Sequence, residues 1–348
     1  MPLLTQIEEH NNNKSAYFIS VIVAIKNEEH YIQKCLESLL NQTFSKKSFQ
    51  IIIVDGGSTD NTLHIVERYL EKYPEFISLH HNPKQWQAVG RNIAIRNDKK
   101  SDLITYIDGH CIAEPHWLEN LYNSFLESDS NQLGGVGSIH YSPDDESILG
   151  KSIEQVFSTP IGGFGSSYQP EKKKRQVQTA PFVLYSKSAL KDVGYYDEDM
   201  KIGEDYTLNY KLQKKKYSLY VEPKAIVYYY KKQSLPAFFQ QMLNYGIAKA
   251  MIVKKYPSSL SFFHFLPIIF SFAFIFLAFI GMFMPVIFFF VIFLFIIYIS
   301  ILFYYALLTS ITKKQFYFCY LMPCIFVLQH VGYSIGFLKG LFKKSWEI

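Results

Sequence analysis

The stretch LITYIDGH, residues 103–110, decides the fold, because an apolar run of strand-forming residues stops abruptly at a carboxylate and an imidazole. Asp-Gly is a common turn dipeptide, so one interpretation of this strand end is a plain turn. The other interpretation is a metal site at Asp108 and His110, because ligands in open α/β sheets bind at the carboxyl ends of the strands. The rest of the sequence is needed to choose between a turn and a metal site.

The first two thirds of the chain alternate between strand-like and helix-like segments. The runs YFISVIVAI (17–25) and FQIIIVD (49–55) are β-branched and typical of buried strands, and each precedes a segment with apolar residues at helical spacing. A short strand near 77–80, a helix from about 87 to 95 and the strand LITYID continue the pattern. This alternation predicts an open, mostly parallel α/β sheet.

Carboxylates close two of the predicted strands. Asp55 ends the second strand and Asp108 ends LITYID. Two carboxylates that face one crevice repel each other, which favours a cation or hydrogen-bond donors between them. Carboxylate oxygen from Asp108 together with imidazole nitrogen from His110 suits Mn²⁺, and suits Mg²⁺ less well because Mg²⁺ prefers oxygen.

Two other charged motifs have more than one interpretation. Glu204 and Asp205 begin the predicted helix EDYTLNYKLQKK, where the helix dipole favours carboxylates, so that a capping role alone would explain them. The basic run at residues 172–175 is either a solvated loop or a contact to anionic lipid or to an acceptor diphosphate.

The composition limits the class of protein. A formal net charge of +5 over 348 residues is modest and gives no indication of nucleic-acid binding. The N-terminal sequence MPLLTQIEEHNNNK has no apolar leader, so we expect no signal peptide and a cytoplasmic location for the soluble part. The 4 cysteines form no C-x-x-C pair and no zinc-binding spacing, which indicates reduced, structural thiols.

The C-terminal third predicts a membrane region. No Asp, Glu, Lys or Arg occurs from Tyr256 to Thr312, a run long enough for two membrane helices of ~20 residues. We expect spans over about 262–282 and 286–308. The segment after them predicts a third span, or a re-entrant or interface-lying element. The second alternative keeps the lysines near the C-terminus on the cytoplasmic side, as the positive-inside rule prefers.

The stretch SLPAFFQQMLNYGIAKAMIVKKYP (234–257) predicts an amphipathic helix that lies in the membrane interface. Its apolar residues form one stripe, and Lys249, Lys254 and Lys255 are interpreted as polar anchors. The helix is either a connector only or also a contact to the acceptor.

Five motifs in register resemble a family-2 glycosyltransferase of the GT-A fold, over roughly residues 18–250. They are VIVAIKNEEHYIQKCLESLLNQ (21–42), IIIVDGGSTDNT (51–62), GRNIAI (90–95), YIDGH (106–110) and GEDYTLNYKL (203–212). The chain resembles the subgroup of bacterial succinoglycan-type exopolysaccharide glucosyltransferases, which often have a small residue and then His after the aspartate, and which have C-terminal membrane spans. Many members have a second Asp where this chain has His110, which leaves the metal preference open. The Arg and Trp of the Gln-x-x-Arg-Trp motif of processive synthases are absent here, so we do not expect a polymer-extruding synthase.

The resemblance implies roles for individual residues. Asp55 would hydrogen-bond the base of a nucleotide (uracil), and Arg91 would approach its diphosphate. Asp108 would bind the ribose or a divalent metal, Mn²⁺ or Mg²⁺, and His110 would complete the metal coordination. Asp205 would be the general base of an inverting transfer, with Glu204 holding the acceptor. The nucleotide-sugar-binding residues implied are Ala24, Lys26, Glu28, Asp55, Arg91 and Asp108.

The expected protein is therefore a glycosyltransferase anchored in the bacterial cytoplasmic membrane with its catalytic domain in the cytoplasm. It would move a sugar from a UDP-sugar to a polyprenyl-diphosphate-linked saccharide in exopolysaccharide or surface-glycan assembly. Two alternatives stay open: a polyprenyl-phosphate glycosyltransferase, whose phosphate acceptor needs no strong base, and a catalytically inactive membrane adaptor. A homo-oligomer is also left open. The expected division is a polar tail (1–16), a GT-A catalytic domain (17–232), an interfacial helix (233–258) and a membrane region (259–348).

Overall fold

The structure, a computed structural model, describes residues 17–128, 132–163, 173–259 and 265–346. The predicted polar tail, Lys172 of the basic run and the start of the first predicted span lie outside these residues. The strands are β1 (Ile19–Ile25), β2 (Phe49–Asp55), β3 (Ile77–His81), β4 (Leu103–Asp108), β5 (Cys111–Ala113), β6 (Leu133–Tyr141), β7 (Arg175–Val177), β8 (Leu184–Ser186) and β9 (Ser218–Tyr229). The helices of the first part are α1 (Ile32–Leu40), α2 (Thr62–Lys72), α3 (Gln87–Asn97), α4 (Trp117–Leu126), α5 (Ile148–Phe157), α6 (Pro160–Gly163), α7 (Lys187–Asp192) and α8 (Glu204–Lys214). Those that follow are α9 (Leu235–Lys255), α10 (Leu266–Gly281), α11 (Pro285–Lys313) and α12 (Phe318–Phe342).

One sheet organises the described part of the chain, in the order β3-β2-β1-β4-β8-β6-β9-β5, with β7 paired to β9. The half that contains β1 to β4 is parallel, and every residue of β1 is buried at its centre. The other half is mixed, because β8 runs antiparallel to both β4 and β6 while β6 and β9 are parallel. The predicted α/β sheet is confirmed, and its antiparallel pairs are the part that the alternation of segments did not indicate.

The register of the parallel half brings the two acidic strand ends to one edge. Ile25 of β1 pairs with Asp55 of β2, and Ala24 of β1 pairs with Asp108 of β4. Both carboxylates therefore end on the carboxyl edge of the sheet, on either side of β1, where a crevice for a ligand is expected.

A second hydrophobic core joins the sheet-containing part of the chain to the C-terminal helices. Ile153 and Val156 of α5 pack with Phe238 and Met242 of α9, and with buried residues of α11 and α12. Phe238 and Met242 belong to the apolar stripe predicted for α9, and both are buried. A large part of that stripe is thus covered by protein.

The lysines interpreted as polar anchors of α9 contact protein groups instead. Lys254 donates to the backbone carbonyls of Gly340 (2.8 Å) and Lys343 (2.9 Å) at the end of α12. Lys255 pairs with carboxylates of the α7–α8 connection, and Lys249 lies over an aromatic ring at 3.7 Å. Helical spacing shows that these residues lie off the apolar stripe but not what they meet, and their role as membrane anchors stays a prediction.

Two helices of the described residues are long and apolar enough to cross a membrane, by length and composition alone. They are α11 with 29 residues and α12 with 25. The two helices differ in burial. In the most apolar 18-residue segment of each helix, 11% is buried inside the protein for α11 and 56% for α12. The helix α10 has 16 residues, and the turn after it brings Gly281 against the backbone of Phe288, so that α10 and α11 form a hairpin.

Candidate active site

A cavity of about 770 Å³ opens at the carboxyl edge of the sheet. Its walls come from the end of β4, from the segment just before β8, from the start of α8, and from α9 and α12. The predicted site residues that line it are Arg91, Asp108, His110, Glu204 and Asp205. The other predicted residues, Ala24, Lys26, Glu28 and Asp55, lie at the ends of β1 and β2 beside it.

Arg91 connects two of the acidic groups beneath this cavity. Its Nη1 donates to Glu204 Oε1 at 2.8 Å and its Nη2 to Asp108 Oδ1 at 3.1 Å, and the guanidinium lies 3.9 Å from the centre of the Tyr106 ring. The residue is 2% exposed. Burial disfavours the charged guanidinium, but Glu204, Tyr196 and Asp108 together raise the pKa of Arg91 well above its ordinary value. A buried cation thus holds the end of β4 against the start of α8.

The two carboxylates at the start of α8 have different environments. Glu204 is buried and paired with Arg91, and burial raises the pKa of Glu204, opposed by Arg91 and reinforced by Asp205. Asp205 lines the cavity, and its Oδ1 accepts a hydrogen bond from the backbone N–H of Tyr206 at 2.7 Å. Among the described residues no ion pair to Asp205 occurs. Of the two, Asp205 is the carboxylate available to a ligand.

His110 is oriented by Glu28 from the end of β1. The Nδ1 of His110 lies 2.8 Å from Glu28 Oε1, and because an ionised carboxylate only accepts, Nδ1 carries the hydrogen. Burial lowers the pKa of His110, but the hydrogen bond and the charge of Glu28 outweigh it, so that the pKa is raised. A Cβ on Gly109 would lie 2.8 Å from Glu28 Cγ, which explains why a glycine separates Asp108 from His110.

The donor set at the end of β4 fits a divalent ion that also binds a substrate. Asp108 offers carboxylate oxygen, and His110 offers Nε2 because Nδ1 is held by Glu28, an arrangement typical of metal-binding histidines. Within the described ranges no group of three or more His, Cys, Asp or Glu is placed to hold a metal. Two protein ligands suit an ion that takes its remaining ligands from phosphate and water.

Asp55 shapes the turn between β2 and α2. Its carboxylate accepts from the backbone N–H of Gly57 at 2.9 Å and from Ser58 Oγ at 2.6 Å. Lys26 at the end of β1 donates to Gln85 Oε1 at 2.5 Å. These groups form the outer part of the crevice, and their contact with a nucleotide stays a prediction.

Several cavity residues were missed by the sequence analysis. Gln87 donates to Asp108 Oδ1 at 3.3 Å, and only its position one turn before GRNIAI could have suggested this. Lys249 was interpreted as a membrane anchor, and its position in the cavity depends on how α9 packs. Gln329 and Tyr333 of α12 also line the cavity, and no local signal indicated that so distant a segment would return to the site.

The chain is similar to known proteins in sequence and in structure. Residues 20–194 match the family model described as Glycosyl transferase family 2. A protein of Methanococcus voltae named dolichyl N-acetyl-alpha-D-glucosaminyl phosphate 3-beta-D-2,3-diacetamido-2,3-dideoxy-beta-D-glucuronosyltransferase is 31% identical over 330 residues, which cover 94% of this chain and 98% of that protein. The succinoglycan biosynthesis protein ExoA of Rhizobium meliloti is 26% identical over 232 residues, covering 66% and 68%. The crystal structure of S. aureus TarS 1-349 in complex with UDP aligns with a TM-score of 0.44 and 24% identity, over 65% of this chain and 63% of that chain.

Proposed function

The chain belongs to glycosyltransferase family 2 and is a glycosyltransferase of the GT-A fold, and on that premise we propose that it transfers a sugar from a UDP-sugar to a polyprenyl-diphosphate-linked saccharide. The product would enter exopolysaccharide or surface-glycan assembly. The observation that carries the proposal is that Asp205 faces the same cavity as the Asp108–His110 pair at the strand end.

Asp205 is the proposed general base. It would accept the proton of the attacking hydroxyl while that oxygen bonds to the anomeric carbon and the bond to the UDP oxygen breaks. A positioned base of this kind contributes about 10²–10⁴-fold to the rate. Glu204 supports the assignment, because its ion pair with Arg91 fixes the start of α8 and leaves its neighbour to act. A single direct attack from the face opposite the leaving group inverts the anomeric centre.

Asp108 and His110 are the residues proposed to hold Mn²⁺ or Mg²⁺. When bound, such an ion supplies positive charge to the departing diphosphate. The chain's own contribution is orientation: Arg91 and Gln87 fix Asp108, and Glu28 fixes the ring of His110. Asp55, Lys26 and Ala24 are proposed to receive the uridine part in the crevice beside the cavity.

The lipid-linked acceptor is supported by the walls of the cavity. One side is built from α9 and α12, which share a hydrophobic core with α11, a helix long and apolar enough to span a membrane. The name of the Methanococcus voltae relative describes a sugar on dolichyl phosphate as its acceptor. We propose that the protein is integral to the cytoplasmic membrane, with α9 and α12 along its cytoplasmic surface and α10–α11 inserted.

A polyprenyl phosphate without a sugar is the second candidate acceptor. It is favoured by one observation: a lysine of the cavity wall, Lys249, lies over the ring of Tyr206, the residue after the proposed base. A phosphate acceptor is already ionised, so its transfer would not need Asp205 to remove a proton. The two candidates therefore differ in their dependence on Asp205.

The test is UDP release by the purified full-length protein in detergent with Mn²⁺, from a panel of UDP-sugars, with polyprenyl-diphosphate-sugar, with polyprenyl phosphate, or with no acceptor. Asp205→Asn should lower acceptor-dependent release by about 10²-fold or more while UDP still binds. Asp192→Asn, which removes a carboxylate that pairs with Lys215 on the surface, should leave the rate unchanged. Release that depends on polyprenyl phosphate and survives Asp205→Asn would establish the second candidate instead. Failure to bind UDP would contradict both.

A further inference from the structure

Lys249 is the cation of α9 that turns toward the catalytic cavity. It lines the cavity together with Asp205, and its Nζ lies 3.7 Å from the centre of the Tyr206 ring, the residue after the proposed base. The residue is half-buried, and it forms part of the cavity wall. Among the residues that the structure describes, no hydrogen bond or ion pair to this ammonium group occurs.

The neighbouring lysines of α9 make a direct comparison. Lys254 donates to two carbonyls at the end of α12, and Lys255 pairs with Asp197 and Asp199. Both are satisfied by the protein, whereas the ammonium group of Lys249 lies against an aromatic ring and has no ion pair within the described part of the chain. Burial lowers the pKa of Lys249 to about 8, and the charge of Asp205 opposes this shift without cancelling it. Removing a cation from water without an ionic partner is costly, so a ligand that brings a negative charge would be stabilised there.

The rest of this wall indicates where such an anion would come from. Gln241 and Tyr245 precede Lys249 at intervals of one helical turn, line the same cavity, and are joined by a hydrogen bond of 3.1 Å. They form a polar row along α9, opposite Tyr333 of α12. The Asp108–His110 pair, where the diphosphate of a donor would sit, belongs to a different wall, at the end of β4. A phosphate that approaches along α9 is therefore on the acceptor side.

We propose that Lys249 is the phosphate-binding residue of the acceptor subsite, and that it contacts the phosphate joining the lipid to the acceptor sugar. This inference rests on the proposed function and names the part of the acceptor that the site recognises. Because Lys249 lies against the residue next to Asp205, the hydroxyl that Asp205 deprotonates is close to that phosphate. The acceptor that fits is a lipid-linked monosaccharide, and a longer saccharide would place its reactive end away from the base.

The experiment measures KM for acceptor and for donor separately with the full-length protein in detergent. Lys249→Gln should raise KM for a polyprenyl-linked monosaccharide by about ten-fold or more, because a charged hydrogen bond is lost, and should leave KM for the UDP-sugar within about two-fold. Lys249→Arg should recover most of the affinity. Lys255→Gln on the same helix should change neither constant, and retained UDP binding shows that each variant is folded. A lipid-linked trisaccharide should be a poorer acceptor than the monosaccharide for the unmodified enzyme.

A binding measurement without turnover separates this inference from the proposed reaction. Short-chain polyprenyl phosphate should bind the unmodified protein more tightly than Lys249→Gln by a similar factor, and inorganic phosphate at the same concentration should compete weakly. If no sugar is transferred yet this binding depends on Lys249, the proposed reaction is wrong and the phosphate site stands. A rise in the donor KM alone would assign Lys249 to the nucleotide diphosphate and overturn the inference. The inference would also be overturned if Lys249→Gln and the unmodified protein had equal KM values and bound polyprenyl phosphate equally well.

Discussion

Arg91 pairs with the carboxylate of Glu204, which lies 113 residues away in the sequence. GRNIAI marked its position, because that motif lies at a fixed place before the strand end. Its partners could not be predicted, since the approach of Glu204 depends on how α8 docks against the sheet. A buried ion pair contributes little net stability, but removing one partner leaves an uncompensated charge. At the residue scale, the structure therefore makes Arg91 a support for the site's geometry.

Arg91→Ala should lower the free energy of unfolding by about 3–5 kcal/mol, because it leaves Glu204 buried without its cation. Chemical unfolding in detergent would measure this. The control is Arg96→Ala, on the same helix, whose ion pair with Glu198 lies at the surface and is partly exposed, so that its loss should cost less than about 1 kcal/mol. Equal effects of the two substitutions would contradict the bridging role.

Lys249 predicts a pH dependence of acceptor affinity. Its pKa is lowered by burial to about 8, with Asp205 opposing, while Tyr206 and Tyr333 are the titratable neighbours on the packed helices. Below that pH the ammonium group is charged and binds phosphate, and above it the neutral amine does not. KM for the lipid-linked acceptor should therefore rise as pH increases through about 8, and the rise should be absent in Lys249→Arg, whose charge persists. A flat profile in the unmodified enzyme would count against the assignment.

Close packing of α9 against α12 is the main feature at the scale of elements. The apolar stripe of α9 was predictable from its helical spacing, and the spacing favoured a membrane surface as its partner. The structure covers much of it with α12 instead, through glycines that let the two backbones approach. A Cβ on Gly336 would overlap the carbonyl of Leu243. No local pattern specifies such a pairing, because the two helices are separated by the α10–α11 hairpin.

Gly336→Leu should separate α9 from α12 and lower the free energy of unfolding by about 1–3 kcal/mol or more, as overpacking does. It should also weaken the affinity for the acceptor, because Lys249 of α9 and Tyr333 of α12 both line the cavity and would move apart. Ile335→Leu places the same side chain one residue earlier, where the present side chain is exposed, and should be tolerated. Thermal unfolding in detergent and acceptor KM would report both effects, and an unchanged Gly336→Leu protein would refute the packing argument.

At the scale of the whole molecule, the parallel half of the sheet, the GT-A fold and the family were predictable from sequence and are confirmed. They depend on strand-end motifs such as LITYIDGH, in which the same few residues indicate both a buried strand and the side chains of a site. The wall supplied by α12 was not predictable, since it depends on how α12 packs against α5 and α9, which lie far from it in the sequence. The domain boundaries and the membrane disposition stay predictions.

Ile296→Arg, near the middle of α11, should reduce the fraction of protein retained in membranes after alkaline extraction, because a central arginine costs about 2.5–3.5 kcal/mol of insertion. The control is Phe316→Arg, which lies between α11 and α12, is 81% exposed and should be extracted like the unmodified protein. Full retention of Ile296→Arg would place α11 outside the membrane core.

The order of the cavity's walls along the chain has a consequence for biosynthesis. Asp108, Asp205 and Lys249 emerge from the ribosome before α10 and α11, but Gln329 and Tyr333 emerge after them. A nascent chain that has completed its sheet can therefore fold the crevice proposed for the nucleotide while the wall proposed for the acceptor is still being synthesised. A complete active site would then form only after the α10–α11 hairpin has been synthesised. If that hairpin inserts into the membrane as proposed, catalysis would begin only at the membrane, where the proposed lipid substrate is found.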